Sequence, residues 1–171
     1  MENQERGLFI GRFQPFHNGH LSTLKQMEKE CDEIIIAVGS AQYAFYKENP
    51  MTAGERIEAI TKALKKEIKK PFYVVPVEDI NCYPNYVSHV ESLVPKFNVI
   101  YTGNSIVAEL FAAKNHEVKG VPSAVSICAT DIRKAIGKEE QWKHLVPEEV
   151  HEFIANKKID ERIRRLENGR V

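Results

Sequence analysis

Five short apolar runs rich in β-branched and aromatic residues punctuate the chain: Leu8 to Ile10, Ile34 to Val38, Phe72 to Val77, Val99 to Tyr101 and, more weakly, Val118 to Val121. Each is continuous rather than alternating, the pattern of a strand covered on both faces. Between them, apolar positions recur at three- and four-residue steps. Leu21, Leu24, Met27 and Cys31 make such a stripe in a helix predicted over Asn18 to Glu30, with Asn18 as its cap. Thr52 and Glu55 have the T-x-x-E spacing of a capping box, which opens a helix carrying Ile57, Ile60, Ala63 and Leu64. Further helices are predicted over Tyr86 to Val94 and Ser105 to Ala113. Regular alternation of strand and helix implies right-handed βαβ units. The predicted fold is therefore α/β, a doubly wound, Rossmann-like parallel five-stranded sheet with helices on both faces. Such sheets bind ligands at the carboxyl ends of their strands, where the strand order switches.

Past Ala129 the pattern is helical only, over about Thr130 to Ile136, Glu139 to His144, Glu148 to Lys157 and Asp160 to Glu167. No repeat or low-complexity linker intervenes, so residues 1–171 read as a single domain, sheet-forming over about 7–128 and helical over about 129–168. The run from Lys157 onward carries an excess of Lys and Arg and reads as a solvated helix face.

Composition narrows the class. The 24 basic and 24 acidic residues cancel, so no overall field draws the chain to nucleic acid or to a membrane surface, and any anion site must be local. Cys31, Cys82 and Cys128 are widely spaced and odd in number, which fits reduced thiols in a cytoplasmic protein rather than a disulfide framework or a zinc knuckle. The polar start MENQERGLFIGRF has no export signal, and no run is long and apolar enough to span a bilayer.

Candidate chemistry concentrates in Gly7 to His20, GLFIGRFQPFHNGH. A strand ends at Gly11, a loop containing Arg12 and Phe13 follows, and a helix begins near Asn18. Free first-turn amides and the helix dipole make that junction an anion site. His17 and His20 fall in the loop and first turn, where both imidazoles reach one phosphate group as N–H donors and gain from protonation when a polyphosphate binds. Gly19 between them leaves room for close approach of a ligand. A zinc site would need H-E-x-x-H, whereas this segment has H-x-x-H with no adjacent glutamate, and no metal-ligating residues are assigned. No G-x-S-x-G nucleophile elbow is present. A second helix opening, Cys128-Ala-Thr-Asp-Ile-Arg133, offers Thr130 as a cap and hydroxyl, with Arg133 directed at the same phosphates.

At these positions the chain resembles the HxGH nucleotidyltransferase superfamily, with His17-Asn-Gly-His20 as the motif of that name and Cys128 to Arg133 in place of its S-x-T-x-x-R motif. More closely it is similar to the archaeal type of nicotinamide-nucleotide adenylyltransferase, through GRFQPFHNGH, GSAQ at Gly39 to Gln42, TAGER at Thr52 to Arg56, PVEDI at Pro76 to Ile80 and YTGN at Tyr101 to Asn104. The resemblance implies transfer of AMP from ATP to nicotinamide mononucleotide, giving NAD. It implies that Arg12, His17, His20 and Arg133 hold the ATP phosphates, with Gly11, Phe13, Gly19, Gly103, Asn104 and Thr130 completing the nucleotide site. Gly39, Ser40, Asp79, Ile80, Tyr83 and Tyr86 would receive the acceptor, Mg²⁺ would ride on the phosphates, and the chain would form a homo-oligomer, often a hexamer in relatives.

The sequence departs from that pattern at several points. Cys128 stands where the motif has Ser, and Lys47 and Glu48 stand near Asn49-Pro50 where an Arg is expected. The Pro122 to Ile127 stretch lacks a basic residue, and Tyr83 and Tyr86 replace Asn and Trp. Two alternatives accompany the main reading. One is AMP transfer to another acceptor such as FMN or phosphopantetheine, the latter disfavoured by the Tyr83 and Tyr86 rings. The other is a non-catalytic nucleotide-binding sensor, suggested by Cys128 and the missing arginine.

Overall fold

The computed structural model describes residues 4–121 and 127–169. Strands β1 (Arg6–Gly11), β2 (Glu33–Val38), β3 (Phe72–Pro76), β4 (Val99–Thr102) and β5 (Glu117–Gly120) form one sheet in the order β3-β2-β1-β4-β5. Every neighbouring pair is parallel, with Gly7 of β1 opposite Ile34 of β2 on one side and Val99 of β4 on the other.

The continuous apolar runs follow from two helix layers. Ile34, Ile36 and Val38 face helices α1 (Asn18–Glu30) and α2 (Ala53–Glu67), packing with Leu24, Met27, Ile60 and Leu64. Ile35 and Ala37 point the other way, into a separate core with Val87 and Val90 of α3 (Tyr83–Leu93) and Phe111 of α4 (Ser105–Ala112). With both faces covered, alternation has no solvent side to serve. Helices α5 (Ala129–Gly137), α6 (Glu148–Asn156) and α7 (Ile159–Glu167) join the first core through Ile132, Ile136, Val150, Ile154, Ile159 and Ile163. No helix among the described residues is long and apolar enough to cross a membrane.

The structure corrects several local expectations. His17, not Asn18, caps α1, because its ring accepts from the His20 amide; Asn18 instead donates its side-chain amide to the His144 carbonyl at 3.0 Å. Helix α3 starts at Tyr83 rather than Tyr86, since Pro84 suits a first helical turn. The helix predicted over Glu139 to His144 is reduced to one 3-10 turn at Lys143–Leu145. There Glu139 turns left-handed (φ 60°) and the Glu140 amide bonds back to the Ala135 carbonyl at 2.8 Å, which closes α5. The basic C-terminal run is not simply a solvated face: Arg162 grips both carboxylate oxygens of Glu55 at 2.7 and 2.9 Å.

The chain passes from β1 outward to β2 and β3, then returns to place β4 on the opposite side of β1. The switch point lies at the carboxyl ends of β1 and β4.

Candidate active site

A cavity of about 370 Å³ opens at that switch point. It is lined by Gly11, Arg12 and Phe13 after β1, by Gly103 and Asn104 after β4, by His17, Gly19 and His20 at the start of α1, and by Thr130 and Arg133 of α5. Every residue expected to hold ATP thus lines one cavity. The N-terminal turns of α1 and α5 and the Asn104 cap of α4 converge here, so helix dipoles and free amides favour an anion. Arg12 and Arg133 add charge, and among the described residues the lining includes no carboxylate.

His17 and His20 lie face to face, ring centroids 3.5 Å apart and 21° from parallel. Their geometry is fixed by a reciprocal capping box: the His20 amide donates to Nδ1 of His17 at 3.3 Å, and the His17 amide donates to Nδ1 of His20 at 3.2 Å. A nitrogen that accepts cannot carry the proton, so each ring holds its hydrogen on Nε2, the atom left free for a ligand. Burial favours the neutral form of both rings. Burial pushes His17 down to about 4, and burial followed by the neighbouring His17 pushes His20 well below the ordinary imidazole value. The aromatic bed that buries His20 consists of Phe9, Phe13 and Phe16, with the Phe13 ring edge-on at 4.8 Å. Phe13, only 2% exposed, is therefore a support for His20. Gly11 has to be glycine beside it: a Cβ there would stand 2.8 Å from the Phe13 ring.

Arg133 is almost fully enclosed, and its fork is already engaged. Nη1 donates to the Gln14 carbonyl at 2.8 Å and Nη2 to Thr130 Oγ1 at 3.2 Å. Burial, then the charge of Arg12, lowers its pKa. Thr130 does not cap α5; Cys128 occupies the cap position without a side-chain bond. The exposed Cys128 thiol, which burial would raise, is held below its ordinary value by the Thr130 and Asp131 donors at the start of α5. The basic residue missing ahead of Cys128 belongs to a stretch whose positions 122–126 lie outside the described residues.

A second cavity, of about 340 Å³, is lined by Asp79, Ile80, Tyr83 and Tyr86 together with Val107 and Leu110. Four expected acceptor residues are brought together there. Gly39 and Ser40 line neither of these two cavities but connect them. The Gly39 amide bonds the Gly11 carbonyl at 2.9 Å, and Ser40 Oγ bonds Asp79 at 2.7 Å.

Two residues in this junction carry more than the sequence suggested. Arg56, 1% exposed, donates to the carbonyls of Arg12 (2.8 Å), Gly39 (2.7 Å), Ser40 (3.1 Å) and Thr52 (3.3 Å). One guanidinium thus ties the loop after β1 to the loop after β2. Burial, then Arg12, lowers its pKa to about 10, which leaves it charged at neutral pH. Gln14 bonds both the amide and carbonyl of Met51 at 2.9 Å while its own carbonyl receives Arg133. An arginine on the sheet-facing side of an amphipathic helix, as Arg56 is, was the available signal.

Comparison with known proteins places the chain among nucleotidyltransferases. Residues 8–143 match the cytidylyltransferase-like family model. The chain is 48% identical over 163 residues to a nicotinamide-nucleotide adenylyltransferase of Methanococcus aeolicus, covering 94% of both chains. It is 46% identical over 165 residues to one of Thermoplasma volcanium, covering 95% of this chain and 93% of that one. Among solved structures it superposes on a bifunctional NMN adenylyltransferase/ADP ribose pyrophosphatase of Francisella tularensis with TM-score 0.78 and 19% identity, covering 97% of this chain and 54% of that one. The same protein complexed with AMP and a Mn ion gives TM-score 0.77, 20% identity and coverage of 97% and 53%. At that identity the likeness is one of fold.

Proposed function

The chain belongs to the cytidylyltransferase-like family and, within it, to the nicotinamide-nucleotide adenylyltransferases, and on that premise we propose that it transfers AMP from ATP to nicotinamide mononucleotide, giving NAD and pyrophosphate. The observation that carries the reading is the stacked His17 and His20 pair, with two Nε2–H donors facing a cavity shared by Arg12 and Arg133.

The triphosphate occupies the larger cavity, with its phosphates at the α1 N-terminus, and the acceptor occupies the smaller one beside Tyr86. An acceptor phosphate is ionised at neutral pH, so one of its oxygens attacks the α-phosphorus without a general base. A P–O bond forms to AMP as the bond from the α-phosphorus to the bridging oxygen breaks, and that oxygen leaves with its electron pair on pyrophosphate. The charge that develops on the phosphoryl oxygens is met by Nε2–H of His17 and His20 and by the guanidiniums. The chain contributes positioning and charge stabilisation, which suffices for this class of transfer. Among the described residues the cavity lining offers no carboxylate, so a divalent ion, Mg²⁺ in our reading, would come with the nucleotide substrate rather than be held by the chain, and would add to charge neutralisation there. We further propose that residues 1–171 act as one domain, that the protein works in the cytoplasm without nucleic-acid or membrane partners, and that it assembles as a homo-oligomer, a hexamer by likeness to its relatives.

Pyrophosphate release from Mg-ATP tests this directly. Release is expected with nicotinamide mononucleotide and not without an acceptor. Faster release with FMN or phosphopantetheine would shift the acceptor, and tight ATP binding with no release under any acceptor would favour a sensor.

A further inference from the structure

The last helix, α7, lies outside the 8–143 segment matched by the family model, yet its end packs beside Arg133, which lines the larger cavity. Arg133 has one donor, Nε, that is buried and makes no hydrogen bond. The nearest anion to it is Glu167 at the end of α7, whose Oε1 lies 4.0 Å from that Nε and whose side chain is 8% exposed. The other oxygen of the same carboxylate lies 3.2 Å from Nζ of Lys47. Lys47 occupies the loop where the sequence lacks an expected arginine. The approach is built into the packing: a Cβ on Gly137 would stand 2.7 Å from Cβ of Glu167, so only glycine lets α5 and α7 close to this distance. Asn168 fastens the same point by donating to the Gly137 carbonyl at 3.2 Å.

We propose that Glu167 is a positioning residue of the nucleotide site, its carboxylate set between Arg133 and Lys47 so that it fixes the plane in which the Arg133 guanidinium meets the ATP phosphates. This rests on the reading of the larger cavity as the ATP site. With Nη1 on Gln14 and Nη2 on Thr130, Nε is the one nitrogen of the guanidinium without a hydrogen bond, and an enclosed carboxylate acts on it at 4.0 Å more strongly than an exposed one would. Glu167 raises the Arg133 pKa against burial, in keeping with that role. It touches no substrate and acts through Arg133.

Calorimetric titration with Mg-ATP decides the matter, with melting temperature followed in parallel. Glu167→Gln keeps the shape and removes the charge. It is expected to weaken Mg-ATP binding about tenfold, the size of one loosened charged contact, while leaving the KM for nicotinamide mononucleotide unchanged. In an Arg133→Ala background the same substitution is expected to add nothing. Glu167→Asp retains the charge at shorter reach, so the affinity order should be Glu, then Asp, then Gln. An order of Glu, Gln, Asp, as side-chain length alone would produce, overturns the proposal, as does equal weakening by Glu167→Gln with and without Arg133. Failure of the unmodified protein to bind Mg-ATP would remove the ATP reading of the cavity and this inference with it.

Discussion

His17 does two jobs with two atoms of one ring: Nδ1 caps α1 and Nε2 is left for a ligand. Substitution should separate them. His17→Ala is expected to lose both, costing about 1 kcal/mol of stability as well as rate. His17→Asn restores a cap but not the donor, so denaturation should show near-normal stability with activity still low. His20→Ala is expected to lower kcat by at least about 10², and an unchanged rate would count against the site. The ring charge predicts a pH dependence too. His17 is neutral down to about 4 when folded, while the unfolded chain protonates near 6.5. Between those values the unfolded state binds more protons, so stability falls as pH is lowered through that window and is flat above it. Denaturation at pH 7.5 and 5 should show the drop, reduced in His17→Asn; equal drops in both proteins would argue against His17 as the source. Arg56 gives the largest expected loss. Arg56→Met leaves four carbonyls without their donor and should cost at least about 3 kcal/mol, and Arg56→Lys should fail to restore activity because an ammonium cannot span two loops.

At the scale of elements, most boundaries were legible because local chemistry and tertiary packing agree. The Thr52 and Glu55 capping box appears as read, with bonds of 3.1 and 2.9 Å in the two directions. The continuous apolar runs of β1, β2 and β4 became strands because they separate two cores, while the edge strands β3 and β5 are only partly covered. What the sequence hid were interactions set by distant segments. The Glu139 reversal depends on backbone geometry that residue type does not announce, and Arg162 reads as a surface charge until α7 is laid against Glu55. The part of the larger cavity's lining from Gly11 to His20 was legible because a strand–loop–helix junction concentrates it within one motif. The partners of Arg56 were not, because they are backbone carbonyls, which every residue carries. On the acceptor side, Tyr86 is half-buried against Phe111, with ring centroids 6.3 Å apart. Tyr86→Ala is expected to raise the KM for the acceptor several-fold with ATP affinity unchanged, and a fall in ATP affinity instead would put the two pockets in the wrong order.

The molecule as a whole ties its C-terminal helices into the catalytic half through a shared core and through Arg162, Lys47 and Arg133. A single cooperative unfolding transition is therefore expected by calorimetry, and two separable transitions would contradict the one-domain proposal. The doubly wound order puts the two cavities at neighbouring strand ends, so the sheet itself sets the distance between them, while Arg56, Gly39 and Ser40 join their loops. The central claim is that the imidazoles of His17 and His20 both present Nε2–H to one polyphosphate. Long-range proton–nitrogen spectra of the histidine rings, recorded during titration with Mg-ATP, test it most directly. The account predicts unprotonated Nδ1 and protonated Nε2 in both His17 and His20 before nucleotide is added, then shifts at both Nε2 atoms that saturate together. A proton on Nδ1 of either ring, or nucleotide binding that leaves both Nε2 signals unmoved, would contradict it.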